Sequence, residues 1–273
     1  MIWGSSFILM KGGMNRLSAY QVASIRILCS GLVLIPFANK ALREVPRNKL
    51  FLVILSGLIG SFVPAYLFCI AETRIDSSLA AILNALTPMF TILIGIGFFQ
   101  LQAKLIKIIG VLIGFIGLTL LMANSGRIGF QHLSYSSLVL AATILYGLNV
   151  NMVSRYMKGV SALHIATVAF VFLIIPCLVI LFSTGYFDLT LTTQPFVLST
   201  LAAATLGIMG TAVASIIFYM LIKRNGTLFA STVTYGVPFV AVGWGVWGGE
   251  NISLIQVGCL GIILVGVYLV NKK

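Results

Sequence analysis

The sequence is poor in charge. Asp, Glu, Lys and Arg together make up 8% of its 273 residues, and five residues in all are acidic. A soluble domain carries roughly 25% charged residues, so this chain has too little polar surface to face water. Histidine is scarce, with His132 and His164 far apart in sequence. HExxH, Walker and GxSxG patterns do not occur, and no CxxC spacing joins Cys29, Cys69, Cys177 and Cys259. No catalytic residue, metal site or cofactor is therefore expected. The four cysteines lie in apolar runs and read as small buried hydrophobes. No acidic residue falls in the middle of an apolar run, which leaves an outer-end acid such as Glu72 as the candidate for any proton coupling.

What the sequence does have is hydrophobicity: 60% of its residues are apolar. A helix needs about 20 apolar residues to cross about 30 Å of hydrocarbon. The runs read as spans over residues 1–14, 18–37, 50–71, 77–100, 106–124, 135–154, 161–183, 196–222, 227–249 and 254–270. They are apolar on every face, which excludes the alternation of barrel strands and the single polar stripe of a soluble bundle. The expected fold is an all-α integral membrane protein of about ten transmembrane helices, and the rest of the chain is short polar punctuation.

The net charge of +12 reflects topology. With the N-terminus inside, the inner loops and tail hold Lys40, Arg43, Arg47, Lys49, Lys104, Lys107, Arg155, Lys158, Lys223, Arg224, Lys272 and Lys273. The outer ends hold Lys11, Arg16, Arg74 and Arg127. The positive-inside rule then puts both termini in the cytoplasm of a multi-pass protein of the inner or plasma membrane. Anionic lipid at the cytoplasmic face is the expected partner of this charge, and nucleic acid is not. Monomer and homodimer are equally open.

The chain also repeats itself. Ser18-Ala-Tyr-Gln-Val-Ala-Ser-Ile-Arg26 matches Ser161-Ala-Leu-His-Ile-Ala-Thr-Val-Ala169, and Gly57-Leu-Ile-Gly-Ser61 matches Gly207-Ile-Met-Gly-Thr211. The second offset also carries Ala80 onto Ala230 and Pro88 onto Pro238. The colinear order implies two halves, residues 1–124 and 134–271, of five helices each. Because five is odd, the second half enters the membrane inverted. Inverted repeats are a common architecture of secondary transporters, with substrate near the midplane between the halves.

Trp3-Gly4-Ser5-Ser6-Phe7 followed by Lys11, Arg26 in the second span, Asn84-Ala-Leu-Thr-Pro88, Tyr235-Gly-Val-Pro238 and Gly249-Glu250 together resemble the EamA branch of the drug/metabolite transporter superfamily. The resemblance covers the whole chain. It departs at Gln100, where the first half usually carries glutamate, and at Ser154 and Ala169, where the second half usually carries basic residues. The resemblance implies a permease or exporter of a small metabolite such as an amino acid or nucleoside. Without basic residues mid-membrane in the second half, phosphate-bearing substrates are disfavoured. The competing readings are a membrane-embedded enzyme and a structural membrane subunit.

Polar and kinked positions inside the spans are the candidates for a substrate cavity: Ser6, Tyr66, Asn84, Pro88, Tyr146, Asn149, Tyr219, Tyr235 and Pro238. An amide or phenol facing lipid is unfavourable, so these should face inward. Their alternative role is helix–helix hydrogen bonding. The charges Lys11, Arg26 and Glu72 read as structural or gating groups, with Arg26 and Glu72 an expected pair. His164 is expected at the membrane interface. The first span is short: 14 residues at 1.5 Å each cover about 21 Å. Aligning Trp3-Gly4 with Tyr146-Gly147 leaves it about nine residues shorter than its counterpart, so the first helix reads as truncated.

Overall fold

The computed structural model describes residues 2–75, 77–123, 133–190, 193–237, 239–240 and 253–272. Among them the chain is helical, with no strand. The first half contains α1 (Ile2–Met14), α2 (Ala19–Leu34), α3 (Ala38–Glu44), α4 (Arg47–Gly57), α5 (Val63–Ala71), α6 (Ser77–Asn84), α7 (Thr87–Phe99) and α8 (Leu105–Ala123). There follow α9 (Leu133–Tyr156), α10 (Ala162–Ser183), α11 (Gln194–Thr205), α12 (Ala214–Asn225), α13 (Thr227–Ser231) and α14 (Leu254–Asn271).

Several of these join end to end. A 3₁₀ turn at Ile35–Phe37 carries α2 into α3, and π-helical segments at Leu58–Phe62 and Leu206–Val213 carry α4 into α5 and α11 into α12. Among the described residues, five continuous helices are long and apolar enough to cross a membrane: Ala19–Glu44, Arg47–Ala71, Leu133–Tyr156, Ala162–Ser183 and Gln194–Asn225. Three shorter apolar helices, Thr87–Phe99, Leu105–Leu121 and Leu254–Val270, accompany them. The helix of the second span runs past the expected residue 37 to Glu44, because Pro36 falls in the 3₁₀ turn, at a place where its missing N–H breaks no α-helical ladder.

The helix starts are written locally. Ser18 Oγ accepts from the Gln21 N–H at 3.2 Å while Gln21 Oε1 accepts from the Ser18 N–H at 2.9 Å. Ser253 and Gln256 repeat the same reciprocal cap at the start of α14, at the same two distances. Each box satisfies two donors that a helix N-terminus otherwise leaves orphaned.

Polarity is arranged inside out. Ser24, Ser30, Ser56, Thr91, Thr143, Thr167 and Ser231 are fully buried, while Phe98, Leu93, Ile175, Val179, Phe182 and Leu254 point outward. A water-soluble protein avoids broad apolar surface of this kind; a bilayer requires it. Small residues bring helix axes together within this arrangement. A Cβ at Gly31 would lie 2.7 Å from the Phe170 carbonyl oxygen, which seats α2 directly on α10. α14 packs on α8 through Gly266, where any Cβ would collide with Gly110 and Gly114 backbone atoms.

His164 lies near the start of the second half's α10. It is buried in the first turn of α10, with its Nδ1 3.2 Å from Glu44 Oε2.

Candidate functional site

A cavity of about 100 Å³ lies where helices of both halves of the chain meet. Its wall is assembled from α1 (Trp3, Ser6, Phe7), α2 (Arg26), the first π segment (Gly60, Ser61), α5 (Phe68), the α6–α7 junction (Asn84, Thr87) and α9 (Tyr146, Asn149). The second π segment (Gly210, Thr211), α12 (Ser215, Phe218, Tyr219) and Thr234 continue it.

Broken helix geometry recurs around this wall. A π segment places one extra residue in a turn and interrupts the regular i→i−4 ladder, and within a bilayer every freed backbone group needs a partner. At Leu206–Val213 the partners come from other helices. The Trp3 indole N–H donates to the Gly210 carbonyl at 3.0 Å, and the Ser30 hydroxyl donates to the Gly207 carbonyl at 2.8 Å. α6 and α7 are separated by a two-residue break, where the Thr87 hydroxyl donates to the Asn84 carbonyl at 2.6 Å. Residues Thr232–Gly236 form a 3₁₀ turn after α13. Pro88 stands in the first turn of α7, where the helix has no use for its missing N–H. It therefore starts a helix, where the sequence suggested a kink inside one.

Polar contacts hold the floor. Ser56 Oγ donates to Asn149 Oδ1 at 2.6 Å, and the Tyr219 and Ser56 hydroxyls lie 3.4 Å apart. Gly60 makes room for this amide, since a Cβ there would overlap the Asn149 side chain. Aromatic rings form the sides: Trp3 meets Phe218 edge-on at 5.1 Å, and Phe68 stacks on Tyr146 at 6.1 Å.

Of the residues singled out from the sequence, Ser6, Asn84, Tyr146, Asn149 and Tyr219 lie on the cavity wall, together with Arg26. Tyr66 lies outside it, with its hydroxyl 2.7 Å from that of Ser24. Tyr235 is buried and donates to the Val111 carbonyl at 2.8 Å, so it holds helices together. Pro238 lies outside the described residues, as do Asp76 and Glu250. The expected Arg26–Glu72 pair is not formed. Arg26 Nε donates to Thr211 Oγ1 at 2.6 Å, across to the second π segment, and Glu72 Oε2 accepts from the Ser77 hydroxyl at 3.1 Å. Ser77 and Thr211 are each nearer to hand, so the two charges are held by separate neutral partners. Lys11 is exposed on α1.

Glu72 stands one residue past the end of the Arg47–Ala71 span. It is buried, and its Oε1 has no hydrogen-bond partner among the described residues. Burial pushes its carboxyl up to about 8, against the opposing pull of the Ser77 hydroxyl and the Lys11 and Arg26 charges.

Sequence reasoning missed Trp3, Phe7, Phe68 and Phe218 as wall residues, because an aromatic ring in an all-apolar helix reads the same whether it faces lipid or a cavity. It also missed Thr211, whose signal was available: it is the repeat mate of Ser61, and both line the wall.

A family model described as the EamA-like transporter family matches residues 1–123 and again 133–272. The uncharacterized inner membrane transporter YedA of Escherichia coli K12 is 26% identical over 281 residues, covering 99% of this chain and 87% of that protein. An uncharacterized transporter of Archaeoglobus fulgidus is 22% identical, covering 99% of this chain and 95% of its own length. A solved crystal structure superposes with a TM-score of 0.77 at 17% identity, over 98% of this chain and 92% of that one, which speaks to the fold alone. With both halves of the chain matched by the family model and its relatives named as transporters, this multi-pass membrane protein belongs to the EamA-like transporter family and is a transporter of a small molecule, not an enzyme.

Proposed function

We propose that the chain is a secondary transporter that moves a small metabolite, such as an amino acid or nucleoside, by alternating access. Ten transmembrane segments form two inverted five-helix repeats, residues 1–124 and 134–271, with both termini cytoplasmic. The cavity between them is the substrate site, and Ser6, Asn84, Tyr146, Asn149 and Tyr219 are its polar contacts. The observation that carries this reading is the paired helix breakage. The π segments at Leu58–Phe62 and Leu206–Val213 stand at the repeat-mated Gly57–Gly60 and Gly207–Gly210. Asn84, at the break between α6 and α7, and its repeat mate Thr234, in the 3₁₀ turn, also face the same cavity. Discontinuous helices placed symmetrically about a central site are what alternating access between inverted repeats uses. The two stretches matched by the family model, 1–123 and 133–272, support the same division.

The test is flux. Purified protein in liposomes is screened with labelled amino acids, nucleosides and organic acids. Saturable uptake of at least one solute above protein-free liposomes supports the proposal. A folded, inserted protein that moves none of them overturns it.

A further inference from the structure

Among the described residues, the cavity wall carries one charged side chain, Arg26. Its Nε is engaged by Thr211 at 2.6 Å. Its terminal guanidinium nitrogens have no hydrogen-bond partner and no ion pair among the described residues, and no carboxylate lines the wall. A cation walled by aromatic rings and without a counter-ion favours an anion, and guanidinium matches a carboxylate with two parallel hydrogen bonds. A second, independent polar group belongs to the same wall. Asn84 Oδ1 is enclosed and accepts no hydrogen bond among the described residues, so a ligand donor that draws it out would satisfy it. Between these polar points the wall is apolar and aromatic, formed by Trp3, Phe68, Tyr146 and Phe218.

Resting on the transporter reading, we infer that the cavity selects net-anionic amphipathic carboxylates that also bear a hydroxyl: the carboxylate sits on the terminal nitrogens of Arg26, the hydroxyl donates to Asn84 Oδ1, and the apolar body lies among the aromatic rings. Zwitterions and amines fit less well, because no carboxylate among the described wall residues answers an ammonium. Glu72 does not supply that charge. It lies off the wall, bonded to Ser77, and burial holds its carboxyl protonated at neutral pH.

The inference is tested with four labelled solutes in proteoliposomes at pH 7: phenyllactate, phenylalanine, phenethylamine and uridine, each corrected for protein-free liposomes. Phenyllactate is expected to move at least tenfold faster than phenylalanine or phenethylamine. Arg26→Gln is expected to reduce phenyllactate flux at least tenfold, with Arg26→Lys retaining part of it, in protein that elutes as the wild type does. Should Arg26→Gln fail to fold, the ranking of solutes by the wild-type protein decides the matter by itself. Movement of phenylalanine, phenethylamine or uridine as fast as phenyllactate overturns the inference while leaving the transporter reading intact. Absence of movement for all four also overturns it, and the wider flux screen then judges the transporter reading separately.

Discussion

The Ser56 hydroxyl donates to Asn149 Oδ1 at 2.6 Å, tying α4 to α9 beneath the cavity. Both groups are buried, so neither has water to replace its partner. Asn149→Leu should leave the Ser56 hydroxyl with only the longer contact to the Tyr219 hydroxyl at 3.4 Å, at a cost of about 1–3 kcal/mol, and should lower transport while leaving insertion intact. Ser56→Ala should cost about as much, and the double variant should cost less than the two singles added together. Thermal unfolding of the four proteins in detergent reads this coupling. Strict additivity would mean that the bond contributes nothing.

Gly60→Ala addresses the same amide from the other side. The added Cβ would overlap the Asn149 side chain, so the amide must turn into the cavity or the π segment must shift. Overpacking of this kind costs typically 1–3 kcal/mol. Transport should fall more than stability does, as measured by flux alongside the unfolding temperature. Ala at Gly236, where a Cβ meets nothing within 4 Å among the described residues, serves as the control and should be near neutral.

Glu72 predicts a pH dependence of stability. Its carboxyl titrates near 4.5 when unperturbed and is raised to about 8 in the folded protein, chiefly by burial. Between those values the folded state holds a proton that the unfolded state has released. Stability from this group is therefore complete below about pH 4.5 and is lost as pH rises through about 8. Glu72→Gln should flatten that slope, and above pH 8 it should unfold at a higher temperature than the wild type. Unfolding curves from pH 5 to pH 9 decide it: identical slopes for both proteins would contradict the assignment.

Much of the fold was legible because a bilayer imposes a crude rule. Runs of about 20 apolar residues had to be helices; the caps at Ser18 and Ser253, which need nothing beyond the next three residues, emerged only in the structure. The paired glycines at 57/60 and 207/210 were visible as repeat mates. What they do was not, since a π turn depends on which neighbour satisfies the freed carbonyl. Trp3 reaches Gly210 across 207 residues, and no local pattern encodes that meeting. The site was half legible for a related reason. Asn84, Tyr146, Asn149 and Tyr219 stood out as polar groups among apolar ones, but so did Tyr66 and Tyr235, whose hydroxyls serve Ser24 and the Val111 carbonyl. Polarity within a span says that a residue turns inward; whether a cavity or another helix awaits it depends on packing. The Arg26–Glu72 expectation failed because sequence shows charges more readily than it shows the hydroxyls of Ser77 and Thr211 that hold them.

Topology is checked with single cysteines in a background lacking the four native ones. Arg43→Cys and Lys223→Cys should react with an impermeant thiol reagent only from the cytoplasmic side, and Asp188→Cys only from outside. Labelling of positions 43 and 223 from opposite sides would mean that the span count is wrong by one.

The most direct test of alternating access is a cysteine at Ser215, on the cavity wall, in the same cysteine-less background. If the cavity opens in turn to each side, Ser215→Cys reacts with the impermeant reagent from the outer face of intact cells and from the inner face of inverted vesicles, and reaction from either side blocks flux. Reaction from one face alone, with flux intact, would contradict the account.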